Sequence, residues 1–334
     1  PIFTSGKLKS GIHAADLGLL AAEREYESKE REIERQVRGA YFGAALAGTI
    51  ERILTRAEET VMAIVADREL SFNEGVITRT DLLEATSRMA SLSSQAAAAG
   101  QAEKSARAAL SILTGEDYSE IVLGTDYRTK LPELDEGALV ARGLDKSPTR
   151  GALLHRVGQA SALVDINKGS RLFLPDISLN VSLDVTGQRV PVLGANWTES
   201  WDANLIVTLG SALTVFDSGA AASKVEQAEH DLAIARQGLQ ALEQGFGLQI
   251  RSSVEAVRSG WHEINRAEAD LDLAREIERT AVVSYENEMI TRADMLGARL
   301  AALLAELDYE RTRYVYETSL SDLEAAVGEG LSER

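Results

Sequence analysis

The 334-residue chain contains no cysteine, and aromatic residues make up only 5% of it. Without cysteine, the chain can form no disulfide bond, zinc–thiolate site or thiol nucleophile. Basic residues are also scarce: 35 Lys and Arg stand against 52 Asp and Glu, which gives a formal net charge of −17. Binding to a phosphate backbone needs clustered Lys and Arg, so we expect no nucleic-acid partner.

Long apolar runs are missing as well. A membrane-spanning helix needs ~20 mostly apolar residues in succession, and the apolar stretches here, such as residues 61–66, are far shorter. If the chain crosses a bilayer, it must therefore do so with β-strands.

Motifs for catalysis and metal binding are absent too. The sequence has no nucleophile elbow, no Gly-rich phosphate loop and no paired-carboxylate cleft. Its four histidines are scattered along predicted helices, none with a second histidine at ligand spacing, whereas a metal site needs convergent ligands. We predict that the protein is not an enzyme and that it has no metal site and no cofactor.

What the chain does contain is an internal repeat at a constant offset of 213 residues. Residues 77–85 read ITRTDLLEA, and residues 290–298 read ITRADMLGA. Matching residues run from Phe3 and Phe216 at the front of the two copies to Gly115 and Gly328 at their ends. So long a period indicates a duplicated architecture rather than a solenoid array. Copy two is preceded by a helical and an alternating segment that copy one lacks, so we expect the signal peptide and first strands to be absent from this chain.

Each copy carries a long helical segment that leads into the shared motif. Neither segment contains a proline, and ~65 residues in a helix span about 100 Å. Helix breakers and capping threonines in the motif then predict a tip and a returning helix. The apolar residues of copy two alternate by three and four positions, as in a coiled coil: Val225, Ala228, Leu232, Ala235, Leu239, Leu242 and Phe246.

Ahead of the second long helix the apolar period changes from helical to two, which predicts a β-hairpin over residues 176–216. Its strands have the length that a tilted strand needs to cross a bilayer, and Trp197 and Trp201 flank it, as interfacial aromatic residues would. The alternative is a half-buried sheet that covers a helix bundle. In the membrane interpretation the lipid-facing residues are Ile177, Leu179, Val181, Leu183, Val185, Leu205, Val207, Leu209 and Leu213.

The predicted organisation has three parts. Residues 1–115 form the first repeat without its front, with a strand end, a long helix, a tip and a return helix. Residues 116–147 form a mixed linker, in which periodicity fades. Residues 148–328 form the second repeat: a helix at 148–173, the hairpin, a long helix at 218–286, a tip at 287–294 and a return helix at 294–327.

Several segments resemble one known family. The residues RLFLPDISL at 171–179 are similar to its helix-to-strand junction, and VFDSG at 215–219 and IFTSG at 2–6 are similar to its strand-to-helix junction. The segment from Phe72 to Ala85 resembles its periplasmic tip. On these motifs, in this order and spacing, the chain resembles the TolC-type outer-membrane channels, the outer-membrane efflux proteins.

The resemblance implies a mainly α fold with a transmembrane β-hairpin and very long, duplicated coiled-coil hairpins. Three chains would build one homotrimeric tube, a periplasmic α-barrel that continues into a shared 12-stranded β-barrel in the outer membrane of a Gram-negative bacterium. The implied function is the passive exit duct of a tripartite efflux or type I secretion system, which a periplasmic adaptor couples to an inner-membrane pump. The alternative function is a soluble, elongated coiled-coil scaffold without a pore.

The resemblance also implies a gate at the tips. By motif position, Asp81 and Tyr285 correspond to a pair that holds the tunnel shut, and Asp294 to a constriction aspartate. The family arginine falls on Ile290 here, so Arg79 or Arg292 is a candidate replacement. The alternative role for both aspartates is stabilisation of a helix N-terminus. The expected adaptor-docking residues are Gly75, Val76, Ile77, Thr78, Met289, Ile290 and Thr291.

Overall fold

The structure, a computed structural model, describes residues 1–124, 127–128, 130–171, 175–187 and 201–331. Two long helical hairpins and one β-hairpin account for most of these residues. In chain order the elements are α1 (Lys7–Asn73), α2 (Arg79–Thr114), α3 (Glu136–Lys146), α4 (Pro148–Arg171), β1 (Asp176–Gly187), β2 (Trp201–Ala212), α5 (Ala220–Glu286) and α6 (Arg292–Val327).

The helix bounds reproduce the 213-residue offset found in the sequence. Helices α1 and α5 have 67 residues each, and α2 and α6 have 36 residues each. The left-handed backbone positions repeat at the same offset, with Gly115 and Gly328 as the C-caps of α2 and α6. Element lengths and turn conformations are therefore duplicated together.

The chain divides into two compact units, of which the first comprises Pro1–Ser28 and Pro148–Gln244. Its sheet consists of β1 and β2, paired antiparallel from Asp176 opposite Ala212 to Gly187 opposite Trp201. This register places apolar residues directly across from each other, as in the pairs Leu179–Leu209, Val181–Val207 and Leu183–Leu205. One face of the sheet is therefore apolar, as the alternating pattern predicts.

The hairpin is shorter than predicted at its open end. The residue opposite Leu213 in this register would be Pro175, whose ring holds φ at about −65°, outside the usual range of an antiparallel strand. Pairing therefore stops at Asp176 and Ala212, and Leu213, predicted as a lipid-facing strand residue, follows the end of β2. At the other end, Trp197 lies outside the described residues, as do residues 172 and 173 at the predicted end of α4.

The N-terminal residues of the first unit extend the sheet. Phe3 forms an antiparallel bridge with Ile177 in which each N–H donates to the other residue's carbonyl oxygen, at 3.1 and 2.9 Å. Lys7, the first residue of α1, donates from Nζ to Asp176 Oδ2 at 2.5 Å. These three hydrogen bonds join the start of copy one to β1.

The second unit comprises Lys29–Ser147 and Gly245–Arg334, and its described residues form two apolar clusters. The first joins α1, α2 and α6 through Ile53, Leu54, Ala57, Val61, Val65, Leu92, Ala96, Ala99, Leu303 and Leu307. The second joins α3, α5 and α6 through Leu139, Ile250, Val254, Val257, Ile264, Tyr316, Leu320, Leu323 and Val327. Each long helix thus buries a narrow stripe rather than a broad face.

A charged cluster fixes the segment between α2 and α3 to α6. The Arg128 guanidinium donates to Glu317 Oε1 at 2.8 Å and to Glu324 Oε1 at 2.7 Å, and the Arg128 backbone N–H donates to Glu317 Oε2 at 2.9 Å. The Glu317 and Glu324 side chains are only 4% and 9% exposed. Two nearly buried carboxylates therefore depend on Arg128 for much of their charge compensation.

The predicted fold class, mainly helical with one β-hairpin, is confirmed. Among the helices of the described residues, none combines the length and apolarity that crossing a membrane would require.

We expect Arg128→Ala to lower the free energy of unfolding by about 3–5 kcal/mol, because it leaves two nearly buried carboxylates without their principal cation. Arg142→Ala is the matched control, since it removes the more exposed pair with Glu329 and should cost under ~1 kcal/mol. Denaturant titration of both variants measures the difference. Equal losses of stability in the two variants would show that the nearly buried Arg128 pairs stabilise the fold no more than an exposed pair does.

Candidate functional site

The tips of the two helical hairpins have the same backbone hydrogen bonds. In the first tip, Val76 N–H donates to Ser71 O and Gly75 N–H donates to Phe72 O, both at 2.9 Å. In the second tip, the counterparts Met289 and Glu288 donate to Ser284 O and Tyr285 O at 2.8 and 2.9 Å. Each long helix therefore ends in a Schellman motif, which requires one residue in the left-handed conformation.

The left-handed residue differs between the two tips. Gly75 has φ +76° and Glu288 has φ +60°. Glycine adopts this conformation without steric cost, whereas the glutamate Cβ crowds the following carbonyl oxygen. The second tip consequently contains backbone strain that the first tip lacks.

A capping box follows each tip. The Thr78 N–H donates to Asp81 Oδ2 at 2.9 Å, and the Asp81 N–H donates to Thr78 Oγ1 at 3.3 Å. The same exchange joins Thr291 and Asp294, at 3.2 and 3.1 Å. Both helix starts thus have two orphan N–H groups satisfied by a threonine–aspartate pair.

The capping bonds also hold both carboxylates in the charged form. Donation from the backbone and hydroxyl of Thr78 lowers the pKa of Asp81, and donation from the hydroxyl and backbone of Thr291 lowers the pKa of Asp294. In each case the positive charge of Arg68 lowers the pKa further. Arg68 therefore acts electrostatically on the start of both return helices.

An ion pair joins the two hairpins near the tips. Arg292, the first residue of α6, donates from Nη1 to Oδ1 of Asp67 in α1 at 3.0 Å. The Asp67 side chain is only 20% exposed, and its Oδ2 is buried without a hydrogen-bond partner in the described structure. A carboxylate so poorly hydrated depends on Arg292 for compensation.

Some of the expected gate residues form contacts at the tips, and others do not. Asp81 and Asp294 are the N3 residues of the two capping boxes, and Arg292 forms the inter-hairpin pair. Within the described part of the chain, Tyr285 forms no hydrogen bond to Asp81, and Arg79 has no ion pair. The tip contact that is present thus involves Arg292 alone among the expected cations.

Sequence reasoning missed Asp67 and Arg68 as tip residues. A signal was available, because at the 213-residue offset their counterparts are Thr280 and Ala281. Both charges therefore belong to one copy only. A charged position that a duplicated partner lacks is a candidate for a contact that breaks the symmetry of the copies.

The expected docking residues lie at the tip turns and the caps that follow them. Val76 is 72% exposed and its counterpart Met289 is 68% exposed. Each tip therefore presents one apolar side chain to its surroundings at the same position of the turn. The other expected docking residues are Gly75, Ile77, Thr78, Ile290 and Thr291.

The second candidate site is the apolar face of the β-hairpin in the first unit. Its central residues are 48–70% exposed, although they are aliphatic: Leu179, Val181, Leu183, Val185, Leu205, Val207 and Leu209. The opposite face carries mainly polar residues, such as Ser178, Asn180 and Thr208. No helix of the described residues covers the apolar face, which an aqueous environment would disfavour.

An aromatic side chain lies at the last register pair of the described hairpin. Trp201 pairs with Gly187 across the sheet, and a Cβ atom on Gly187 would lie 3.2 Å from the indole ring. The glycine thus leaves room for the ring to lie over the neighbouring strand. Trp201 remains 47% exposed, at the place where an interfacial aromatic residue is expected.

Across the described ranges, no group of three or more His, Asp or Glu side chains has the arrangement of a metal site. The two candidate sites are therefore the hairpin tips and the exposed apolar face of the β-hairpin. Neither is a cleft with convergent catalytic or metal-binding side chains.

Comparisons with known proteins show what the chain is similar to. The family model described as outer membrane efflux protein matches residues 1–116 and 140–329. A search of curated protein sequences finds no match.

Solved structures of similar fold include three outer-membrane proteins. The CmeC outer membrane channel of Campylobacter jejuni is 23% identical with a TM-score of 0.77, and the match covers 98% of this chain and 70% of CmeC. VceC from Vibrio cholerae is 18% identical with a TM-score of 0.74, over 98% of this chain and 77% of VceC. The open-state MtrE outer membrane channel of Neisseria gonorrhoeae is 19% identical with a TM-score of 0.75, over 98% and 73%.

The backbone strain at Glu288 in the second tip can be tested by substitution. Glu288→Gly should raise the free energy of unfolding by about 1 kcal/mol, because glycine removes the left-handed strain. Gly75→Ala makes the opposite change at the equivalent position of the first tip and should lower the free energy of unfolding by a similar amount. Thermal unfolding of both variants checks the signs. Loss of stability in Glu288→Gly would show that the glutamate side chain has a stabilising contact that outweighs its strain.

Proposed function

Because the chain belongs to the outer membrane efflux protein family, we propose that it is the exit duct of a tripartite efflux or type I secretion system. As a member of this family it is a passive efflux channel of the outer membrane and not an enzyme. In the proposal, three copies form one channel-tunnel that opens at its periplasmic tip. An adaptor couples this tunnel to an inner-membrane pump.

The observation that carries the proposal is the exposed apolar face of β1 and β2. Strands of 12 residues are long enough to cross a bilayer when tilted. The face is aliphatic over four register pairs, from Leu179–Leu209 to Val185–Ala203, whereas the other face is mainly polar, which is the pattern of a barrel with lipid outside and water inside. In the proposed duct, lipid covers the side chains that no described part of the chain covers.

The same hairpin supports assembly from several copies. A single pair of strands has unpaired backbone groups at its edges, which hydrocarbon does not tolerate. One edge is used in part, through the Phe3–Ile177 bridge, and β2 has no further strand partner among the described residues. Closure with other copies removes the edges, and the proposed homotrimer supplies that closure.

The tips are the proposed gate and docking end. The Asp67–Arg292 pair joins the two hairpins of one copy, and the capping boxes fix the start of both return helices. These contacts favour a defined resting arrangement of the tips. Val76 and Met289, exposed at matching positions, are suited to contact the apolar residues of an adaptor hairpin.

We expect the wild-type protein to fractionate with the outer membrane and to conduct ions in planar bilayers. Val207→Arg places a charge at the middle of the apolar face and should destabilise the inserted barrel by ~2–4 kcal/mol. Thr208→Arg is the control, because the neighbouring side chain lies on the polar face and should insert normally. Membrane fractionation and single-channel recording measure both. Recovery of the wild type as a soluble monomer without conductance would instead favour the coiled-coil scaffold.

A second test concerns ion selectivity. If three copies bring their Asp294 carboxylates together at the constriction, Asp294→Asn should lower the preference for cations over anions. Asp81→Asn makes the same change in the equivalent capping box and controls for loosening of the cap. Reversal potentials in asymmetric salt give the selectivity. An unchanged preference in Asp294→Asn, or an equal fall in both variants, would refute the constriction assignment.

A further inference from the structure

A cavity of about 480 Å³ lies in the second unit, between α1 and the C-terminal end of α6. Its volume is in the range of small-molecule binding sites. Helix α1 lines it with four charged residues, three or four positions apart and therefore on one helix face: Arg31, Glu34, Arg35 and Arg38. Helix α6 and the segment after it contribute Ser321, Glu324 and Glu329.

The two glutamates at the end of α6 are neutralised by cations outside the cavity. Arg128 donates to both carboxylate oxygens of Glu324, at 2.7 and 3.2 Å. Glu329 accepts from Arg142 at 2.8 Å and also pairs with Lys146. In the described structure none of these three cations lines the cavity. Most of the positive charge on α1 therefore faces carboxylates that are already compensated.

Two of the α1 arginines keep donors that the fold does not use. Arg38 Nη1 lies 3.5 Å from Glu324 Oε2, an oxygen that Arg128 already contacts, and the Arg38 side chain is 54% exposed. Arg35 donates from Nε and Nη2 to Glu32 and from Nη1 to Asp322. A guanidinium group carries more N–H donors than these bonds require. Both side chains can therefore also bind an anion.

The hydroxyl group of Ser321 independently points to a ligand. The residue is only 8% exposed, and its Oγ is buried without a hydrogen-bond partner among the described residues. Elsewhere in α6, Thr312 and Ser319 donate their hydroxyl groups to the carbonyl oxygen four residues earlier. An unpaired buried hydroxyl is costly, and an acceptor inside the cavity would satisfy it.

Glu34 supplies an acceptor beside these donors. It lines the cavity on the same face of α1 and forms no ion pair within the described residues. A carboxylate accepts strong hydrogen bonds from O–H groups. The lining therefore suits an oxyanion that also carries an O–H group.

Comparison of the two copies shows that the duplicated helices do not need this cluster. At the 213-residue offset, the counterparts of Arg31, Glu34, Arg35 and Ser321 are Gln244, Gly247, Leu248 and Ala108. Helices α5 and α2 have the same lengths as α1 and α6 without these side chains. The cluster thus has a role other than forming the long helices.

We propose that this cavity binds a phosphorylated small molecule through its phosphate group. Arg35 and Arg38 donate to phosphate oxygens, as the planar fork of arginine favours. Ser321 donates its unpaired hydroxyl to the same group, and Glu34 accepts from an O–H next to these oxygens. Arg31, which donates to Lys146 O at 3.1 Å, adds positive charge to the site.

Inorganic phosphate is the probe for this site, because its hydrogen-phosphate ion has acceptor oxygens and one O–H group. Isothermal titration calorimetry of the full chain, in a detergent without phosphate and at constant ionic strength, measures the affinity. We expect saturable binding of one phosphate per chain. Sulfate has the same charge but no O–H group, and it should bind at least about fivefold more weakly.

Substitutions in the cavity should weaken the binding of phosphate. Arg38→Gln and Ser321→Ala each remove a hydrogen bond to a charged group, so each should raise the dissociation constant about tenfold. Glu34→Gln should reduce the preference for phosphate over sulfate. Arg56→Gln is the matched control, because it also breaks a 3.5 Å pair between α1 and α6 but lies outside the cavity lining. It should change the affinity by less than about twofold.

The site is overturned if wild-type protein shows no saturable phosphate binding, or if Arg56→Gln weakens binding as much as Arg38→Gln does. Ser321→Ala changes no charge and keeps the test decisive if Arg38→Gln does not fold. An unchanged affinity in Ser321→Ala, or equal affinities of the wild type for phosphate and sulfate, would also contradict the proposal. Binding is measured without conductance, so a protein that binds phosphate but does not conduct contradicts only the proposed duct.

Discussion

The packing of α1 against its neighbours is the contact on which the rest of this structure depends. An isolated helix of 67 residues gains little from intrinsic propensity, so its stability must come from an apolar stripe buried along other helices. Ile53, Ala57 and Val61 of α1 are almost fully buried where α2 and α6 pack against them. Because this stripe is narrow, small changes in register would expose it.

The sequence was sufficient to predict the helices and the hairpin because their periods differ. Steps of three and four residues identify the long helices, and strict alternation identifies β1 and β2. The end of the hairpin was predicted less well. Alternation continues past Ala212 to Val215, and pairing ends before Pro175, whose ring fixes φ outside the usual range of an antiparallel strand. A register is needed to see this, and the pattern of one strand does not contain it.

The tips show a different limit of sequence reasoning. A motif locates the turns and the capping boxes because Thr78 and Asp81 are three residues apart. Asp67 and Arg292 are far apart in sequence, and their pairing depends on how α1 and α6 align. Only the comparison of the copies, with Thr280 at the position of Asp67, points to this contact. The duplication explains the turns and capping boxes that the two hairpins share. Positions where the copies differ, such as Asp67 and Thr280, are the places where their contacts differ.

Capping and gating need not be competing roles for Asp294 and Asp81. In both capping boxes the hydrogen bonds go to Oδ2, so the second carboxylate oxygen is not used by the cap. The same bonds lower the pKa of each carboxyl, and this keeps the group ionised at a lower pH than an ordinary aspartate. An aspartate in a capping box therefore stays negatively charged over a wider pH range and is held in a fixed position. A selective constriction requires both properties.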